Sequence, residues 1–175
     1  SFSMAYVDDL TGLKGRRGLN EALVNLGRKY AIAMMDVDHF KRFNDRYGHK
    51  TGDQVLKMIA AKLETISGNA KTYRYGGEEF TVIFPGKTAE EALPHLERYR
   101  KAIEAAPFIV RNRQRRAKRV RGIGKSKKRQ QKGVRVTISI GVASPGKTAE
   151  PGKVLKAADQ MLYRAKRAGR NRVMS

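Results

Sequence analysis

Cysteine and tryptophan are both absent from this 175-residue chain. The first absence removes disulfides, thiolate metal ligands and a cysteine nucleophile, and it suits a reducing compartment. Long apolar runs are missing too. No stretch of eighteen residues is free of charge, so none reads as a membrane-spanning helix. Ser1–Met4 is too short and polar for a secretory leader. Acids are scarce, 16 against 38 Lys plus Arg, and the formal charge is +22. That balance favours polyanionic partners such as nucleotides, nucleic acid or an acidic membrane surface. Apolar residues still reach 40%. A chain of this length buries roughly 70% of its unfolded surface, enough for one domain with a real core.

The positive excess is concentrated. Arg111 to Lys132 holds twelve of the cations, with no acid and no aromatic, and Val120 and Ile123 are almost its only large apolar groups. Such a stretch cannot pack a core, and residues 111–133 are expected to form a mobile basic insertion within one domain spanning 5–175. Its function would be an electrostatic arm for a polyanion, against the plainer alternative of a solvated surface loop. Without aromatics, any nucleic-acid contact would rest on phosphates and weaken with salt.

Periodicity gives the elements. Apolar residues at 19, 22, 23 and 26 predict a helix over Leu19–Tyr30, and Ala31–Asp38 reads as a buried strand ending in acids. Val55, Leu56, Met58, Ile59, Ala60 and Leu63 mark a helix stopped by Ser67-Gly68. Thr72–Tyr75 and Glu79–Phe84 flank Gly76-Gly77 as a hairpin. Thr88 opens a helix to Ala106 with a Thr-x-x-Glu91 capping box. Phe108–Val110 and Val134–Val142 are further strand, and a last helix runs from Val154 to Ala168 and stops at Gly169. Helices on a mixed sheet, of α/β or α+β class, follow.

Gly141 to Thr148 matches the phosphate-loop pattern G-x-x-x-x-G-K-T. That loop needs a helix starting at its Lys and Thr, and Pro151-Gly152 would interrupt its first turn. The carboxylates are more telling. Asp36 and Asp38 share one face of a strand end, while Val37 points the other way. If the hairpin pairs beside that strand, Asp36 and Glu78 can flank a hard cation such as magnesium. Gly76 and Gly77 are expected to supply a positive-φ turn and room for a phosphate. The amides of Phe40 and Lys41 form a candidate anion-binding turn, and Lys166 and Arg170 share a helical face if the last helix persists that far. Asp53 is by default a helix-start acid. Beside a base, its two oxygens would accept from the adjacent N–H and NH2 of guanine. Against this stands the plain reading of strand-capping and surface acids.

These residues resemble the GGDEF family of diguanylate cyclases. Gly76-Gly77-Glu78-Glu79-Phe80 is the Glu variant of the signature. A stretch led by Asp9 and running through Leu10-Thr11-Gly12-Leu13 to Arg16-Arg17 is similar to the opening motif, with Gly15 where Asn is usual. Asp36 to Asp53, Thr137 to Ala143 and Ala158 to Asn171 resemble the remaining motifs. The resemblance covers about residues 8–173 apart from the basic insertion. It implies a ferredoxin-like βαββαβ core of cyclase and polymerase-palm type, and condensation of two GTP into cyclic di-GMP plus two pyrophosphates. It implies Mg2+ or Mn2+ held by Asp36, Glu78 and the Val37 carbonyl, and guanine read by Asn44 and Asp53 with His49 nearby. His39 and Leu56 become pocket walls, and Phe40, Lys41, Lys166 and Arg170 hold phosphates. Lys41 would also stabilise the transition state, and either Glu78 or Glu79 would assist deprotonation of the 3′-hydroxyl. A symmetric homodimer is implied, since each domain binds one GTP. So is a cytoplasmic catalytic domain at the C-terminal end of a longer sensor protein, which leaves membrane attachment of the whole protein open. The product-inhibition motif Arg-x-x-Asp is not carried, because Ser67 and Ala70 stand at its charged positions. The alternatives are a catalytically silent domain that binds GTP or cyclic di-GMP, and a basic nucleic-acid-binding module.

Overall fold

The computed structural model describes residues 5–110, 133–147 and 150–175, so the basic insertion lies outside the described residues except for Gly133. The elements run α1 (Arg16–Val24), β1 (Tyr30–Val37), α2 (Phe40–Tyr47), α3 (His49–Leu63), β2 (Lys71–Arg74), β3 (Glu79–Pro85) and α4 (Ala89–Ala105). Then follow β4 (Phe108–Ile109), β5 (Gly133–Val134), β6 (Ile138–Ala143), α5 (Pro151–Arg167) and β7 (Val173–Met174). Five strands form one sheet in the order β2-β3-β1-β6-β7, antiparallel except for the β6–β7 pair. The four strands β6-β1-β3-β2 with their crossover helices make the expected ferredoxin-like βαββαβ core.

β1 is central, and all eight of its residues are buried. Its alternation divides two cores. Ala31, Ala33, Met35 and Val37 join Phe80, Val82, Phe84, Ile138, Ile140 and Val142 under α3 and α4. Tyr30, Ile32 and Met34 face the opposite way, onto Val154, Ala158 and Leu162 of α5. The same period carries Asp36 to the α5 side. Gly141 of β6 lies on that side too, and a Cβ there would fall 2.0 Å from the Leu162 amide nitrogen and 2.3 Å from the Ala158 carbonyl. Glycine therefore lets the α5 backbone rest directly on the strand. On the other face, Tyr99 of α4 donates from its buried hydroxyl to the Ile59 carbonyl of α3 at 2.8 Å.

Several boundaries differ from expectation. The first helix covers Arg16–Val24, and Tyr30 belongs to β1 instead, because its fully buried ring packs with the α5 core. The stretch expected as one strand over Val134–Val142 divides into β5, which pairs with β4 in a separate ribbon, and β6. The Thr88–Glu91 capping box is present. Pro151 takes the first helical position of α5, so that helix begins after Lys147 and the phosphate-loop geometry does not form. Among the described residues, no helix is long and apolar enough to cross a membrane.

Candidate active site

The strand register places Asp36 directly opposite Glu79 of β3 and opposite Ser139 of β6. The Val37 amide donates to the Glu78 carbonyl at 3.2 Å, so the hairpin end lies against the end of β1. Asp36 and Glu78 are brought together closely enough for the charge of one to bear on the other. Burial, then the Asp36 charge, push the Glu78 carboxyl up to about 7, and the Lys166 ammonium pulls it partly back. Glu79 is also raised, by burial and then by Asp36 and Asp159. Lys166, in the last turn of α5, donates to Asp36 Oδ2. Asp36 Oδ1 is buried and has no hydrogen-bond partner among the described residues.

Asp38 is held quite differently. Ser139 Oγ donates to its Oδ1 at 2.6 Å, while Thr137 Oγ1 at 2.7 Å and the Asn171 amide at 3.0 Å donate to its Oδ2. Its lone pairs are used to fasten β6 and the segment after α5 to the end of β1. Asn171 is itself clamped, donating from Nδ2 to Glu104 and accepting from Arg100 at 2.7 Å.

The paired glycines act otherwise than expected. Neither Gly76 nor Gly77 adopts positive φ. A Cβ at Gly76 would meet Glu79 Oε2 at 2.7 Å, whereas Gly77 has open space around it. Room for side chain and ligand, rather than a left-handed turn, is what glycine provides here. Arg74 secures the hairpin from beneath. It donates to the Gly76 carbonyl at 3.1 Å, to the Gly77 carbonyl at 2.8 Å and to both oxygens of Asp8 at 3.0 and 2.9 Å. The acid of the opening motif is thus Asp8 and not its exposed neighbour Asp9. Burial raises the Asp8 carboxyl, but hydrogen bonds from Thr11 and Arg74 outweigh this and hold it below the usual carboxylate range.

His39, two residues past β1, takes the N-cap position of α2 in a left-handed conformation (φ 56°) without a side-chain cap, which leaves the Phe40 and Lys41 amides at an uncapped helix start. Lys41 is exposed. Asn44, further along α2, has a buried Oδ1 with no partner among the described residues. It presses on Gly52 of α3, where a Cβ would come within 1.8 Å of that oxygen. His49 is the first residue of α3, and Asp53 is exposed one turn later, inside the helix rather than at its cap. Leu56 is 2% exposed and belongs to the main core. Arg170 and Lys166 do not share a continuous helical face. α5 ends at Arg167, and Arg170 is left-handed (φ 64°), with its amide donating to the Ala165 carbonyl at 3.0 Å. At the product-inhibition position, Ser67 Oγ lies 2.7 Å from His95 Nδ1 and accepts from Arg98 at 3.3 Å.

The donor set suits a hard divalent cation. Asp36 and Glu78 offer carboxylate oxygens, and one of them is buried and unpartnered. Among the described residues no group of three His, Cys, Asp or Glu side chains gathers to hold an ion. The backbone at Val37 and oxygens of a bound substrate would have to complete the shell.

The chain matches the family model "Diguanylate cyclase, GGDEF domain" over residues 5–124 and 111–172. It is 37% identical over 177 residues to diguanylate cyclase DgcP of Pseudomonas aeruginosa, covering 97% of this chain and 24% of that protein. It is 36% identical over 174 residues to diguanylate cyclase VdcA of Vibrio cholerae, covering 97% and 47%. The fold resembles the GGDEF domain of DgcB from Caulobacter crescentus, solved in complex with c-di-GMP, with a TM-score of 0.77 and 31% identity over 99% of this chain and 94% of that one. The chain thus spans a quarter to a half of these curated relatives. With the signature hairpin, the acid pair and the uncapped start of α2 all in place, the chain belongs to the GGDEF family of diguanylate cyclase domains.

Proposed function

We propose that the domain condenses two GTP into cyclic di-GMP. Each 3′-hydroxyl attacks the α-phosphorus of the other nucleotide; two phosphodiester bonds form, two α–β phosphoanhydride bonds break, and two pyrophosphates and two protons leave. One observation carries this reading. The buried side-chain oxygens without a partner among the described residues are Asp36 Oδ1 and Asn44 Oδ1, the two residues this reading assigns to the cation and the guanine. An unpaired buried acceptor costs about 1–3 kcal/mol, a cost that a ligand donor or cation offsets.

Asn44 and Asp53 bind the guanine edge, with His49 and His39 beside it and Leu56 supporting the pocket from the core. The Phe40 and Lys41 amides, the Lys41 ammonium, Lys166 and Arg170 hold the triphosphate, and Lys41 also faces charge that grows in the transition state. Mg2+ or Mn2+ held by Asp36, Glu78 and the Val37 carbonyl supplies Lewis acidity, which lowers the proton affinity of the 3′-hydroxyl. Glu79, paired with Asp36 in the strand register and raised by burial, takes that proton once Glu78 is engaged. A single chain offers one such centre, so turnover needs two domains face to face, and upstream segments of a longer protein would govern their approach. With Ser67 and Ala70 at the inhibitory positions, the product has no Arg-and-Asp grip there. Calorimetric titration is expected to show no submicromolar cyclic di-GMP site at residues 67–70.

The deciding experiment incubates a dimerised form of the domain, fused to a leucine zipper, with GTP and Mg2+. Cyclic di-GMP is expected from the wild type and not from Glu78→Ala. No product from the zipper-fused wild type refutes the reading.

A further inference from the structure

We infer that Lys166 competes with the metal for Asp36 and that a bound triphosphate draws it away, so that cation binding and nucleotide binding reinforce each other. The inference rests on the cyclase reading above and adds a coupling to it. The Asp36 side chain is 6% exposed, and one of its two oxygens is already taken by the Lys166 ammonium. A divalent ion approaching the acid pair meets that positive charge at hydrogen-bond range, where burial strengthens the repulsion. Metal alone must therefore either push the ammonium aside or accept a poorer set of oxygens.

The geometry lets Lys166 leave without moving the backbone that carries it. Its side chain is 34% exposed, and it ends in a flexible stem with three rotatable donors. The α5 backbone that carries it is fixed, because Gly141 lets the helix lie on β6 in direct contact. The ammonium can swing while its Cα stays in place. A triphosphate offers several anionic oxygens in exchange for one carboxylate oxygen, and the transfer frees Asp36 for the ion. By linkage, whatever the nucleotide does for the metal, the metal does for the nucleotide.

The test measures Mn2+ binding at pH 8 by the electron paramagnetic resonance signal of the free ion, with wild type, Lys166→Met and Lys166→Gln. Each is titrated alone and with 3′-deoxy-GTP, which lacks the attacking hydroxyl. Without nucleotide, both variants are expected to bind Mn2+ about 5- to 10-fold more tightly than wild type, at the lower end of typical couplings. With 3′-deoxy-GTP, the affinity gain should be larger in wild type than in either variant. Unchanged or weaker metal-only binding in both variants overturns the inference, and so does an equal nucleotide-driven gain in all three proteins. If the wild type takes up no Mn2+ even with 3′-deoxy-GTP, the cyclase reading itself fails.

Discussion

Asp36 and Asp38 stand two residues apart at one end of β1, and their surroundings are opposite. Asp38 accepts from Ser139, Thr137 and Asn171 and holds three chain segments together. Asp36 has one oxygen on the Lys166 ammonium, and its other oxygen has no partner among the described residues. The same residue type is thus used once to fasten the fold and once to keep binding capacity in reserve. Satisfied acids stabilise, and unsatisfied ones cost stability until a ligand arrives.

Asp36→Asn gives the largest expected effect. Cyclic di-GMP formation should fall roughly 10³-fold, several kcal/mol of lost transition-state charge stabilisation, while the melting temperature does not drop. A lower melting temperature would erase the distinction between the two acids. Asp38→Ala should do the reverse and cost about 2–3 kcal/mol in urea unfolding, because buried hydroxyls and an amide lose their acceptor. Gly52→Ala tests the second reserved oxygen. Its Cβ must displace Asn44 Oδ1, so GTP binding should weaken about tenfold by calorimetry, with little change in unfolding.

The smallest effect is a pH slope. The Glu78 carboxyl is raised from 4.5 to about 7, so the fold favours its protonated form. The stability this contributes is full below about pH 4.5 and is lost as pH rises through 7. In chelator, wild-type stability should decline on the order of 1 kcal/mol between pH 5 and 8 once solvent screening is counted. Glu78→Gln should flatten that decline, as thermal melts across the pH range will show.

Much of this was legible in the residues. Alternation along β1 and the hairpin signal allow Asp36 and Glu78 to meet, element types give helices on a mixed sheet, and the βαββαβ order comes from the family resemblance. What period and spacing do not carry is who bonds to whom over long separations. Thr137, Ser139 and Asn171 reach Asp38 from about 100 to 133 positions away. The choice between Asp8 and Asp9 depends on a turn in which Asp8 caps Thr11, with Oδ2 accepting from its amide at 2.9 Å and its hydroxyl at 2.6 Å. Gly76 and Gly77 look like turn formers in any sequence; only the position of the Glu79 side chain shows that clearance is what they provide. Nothing in the sequence marks Arg74, because an arginine on an edge strand is usually a solvated one.

Residue 141 gives the arrangement a last consequence. Nothing there meets a nucleotide, yet the missing methyl sets the depth at which a seventeen-residue helix seats, and with it the reach of the charged tip at its far end. The tolerance of the chemistry is gauged by a hollow on a strand, twenty-five positions upstream of the lysine that depends on it.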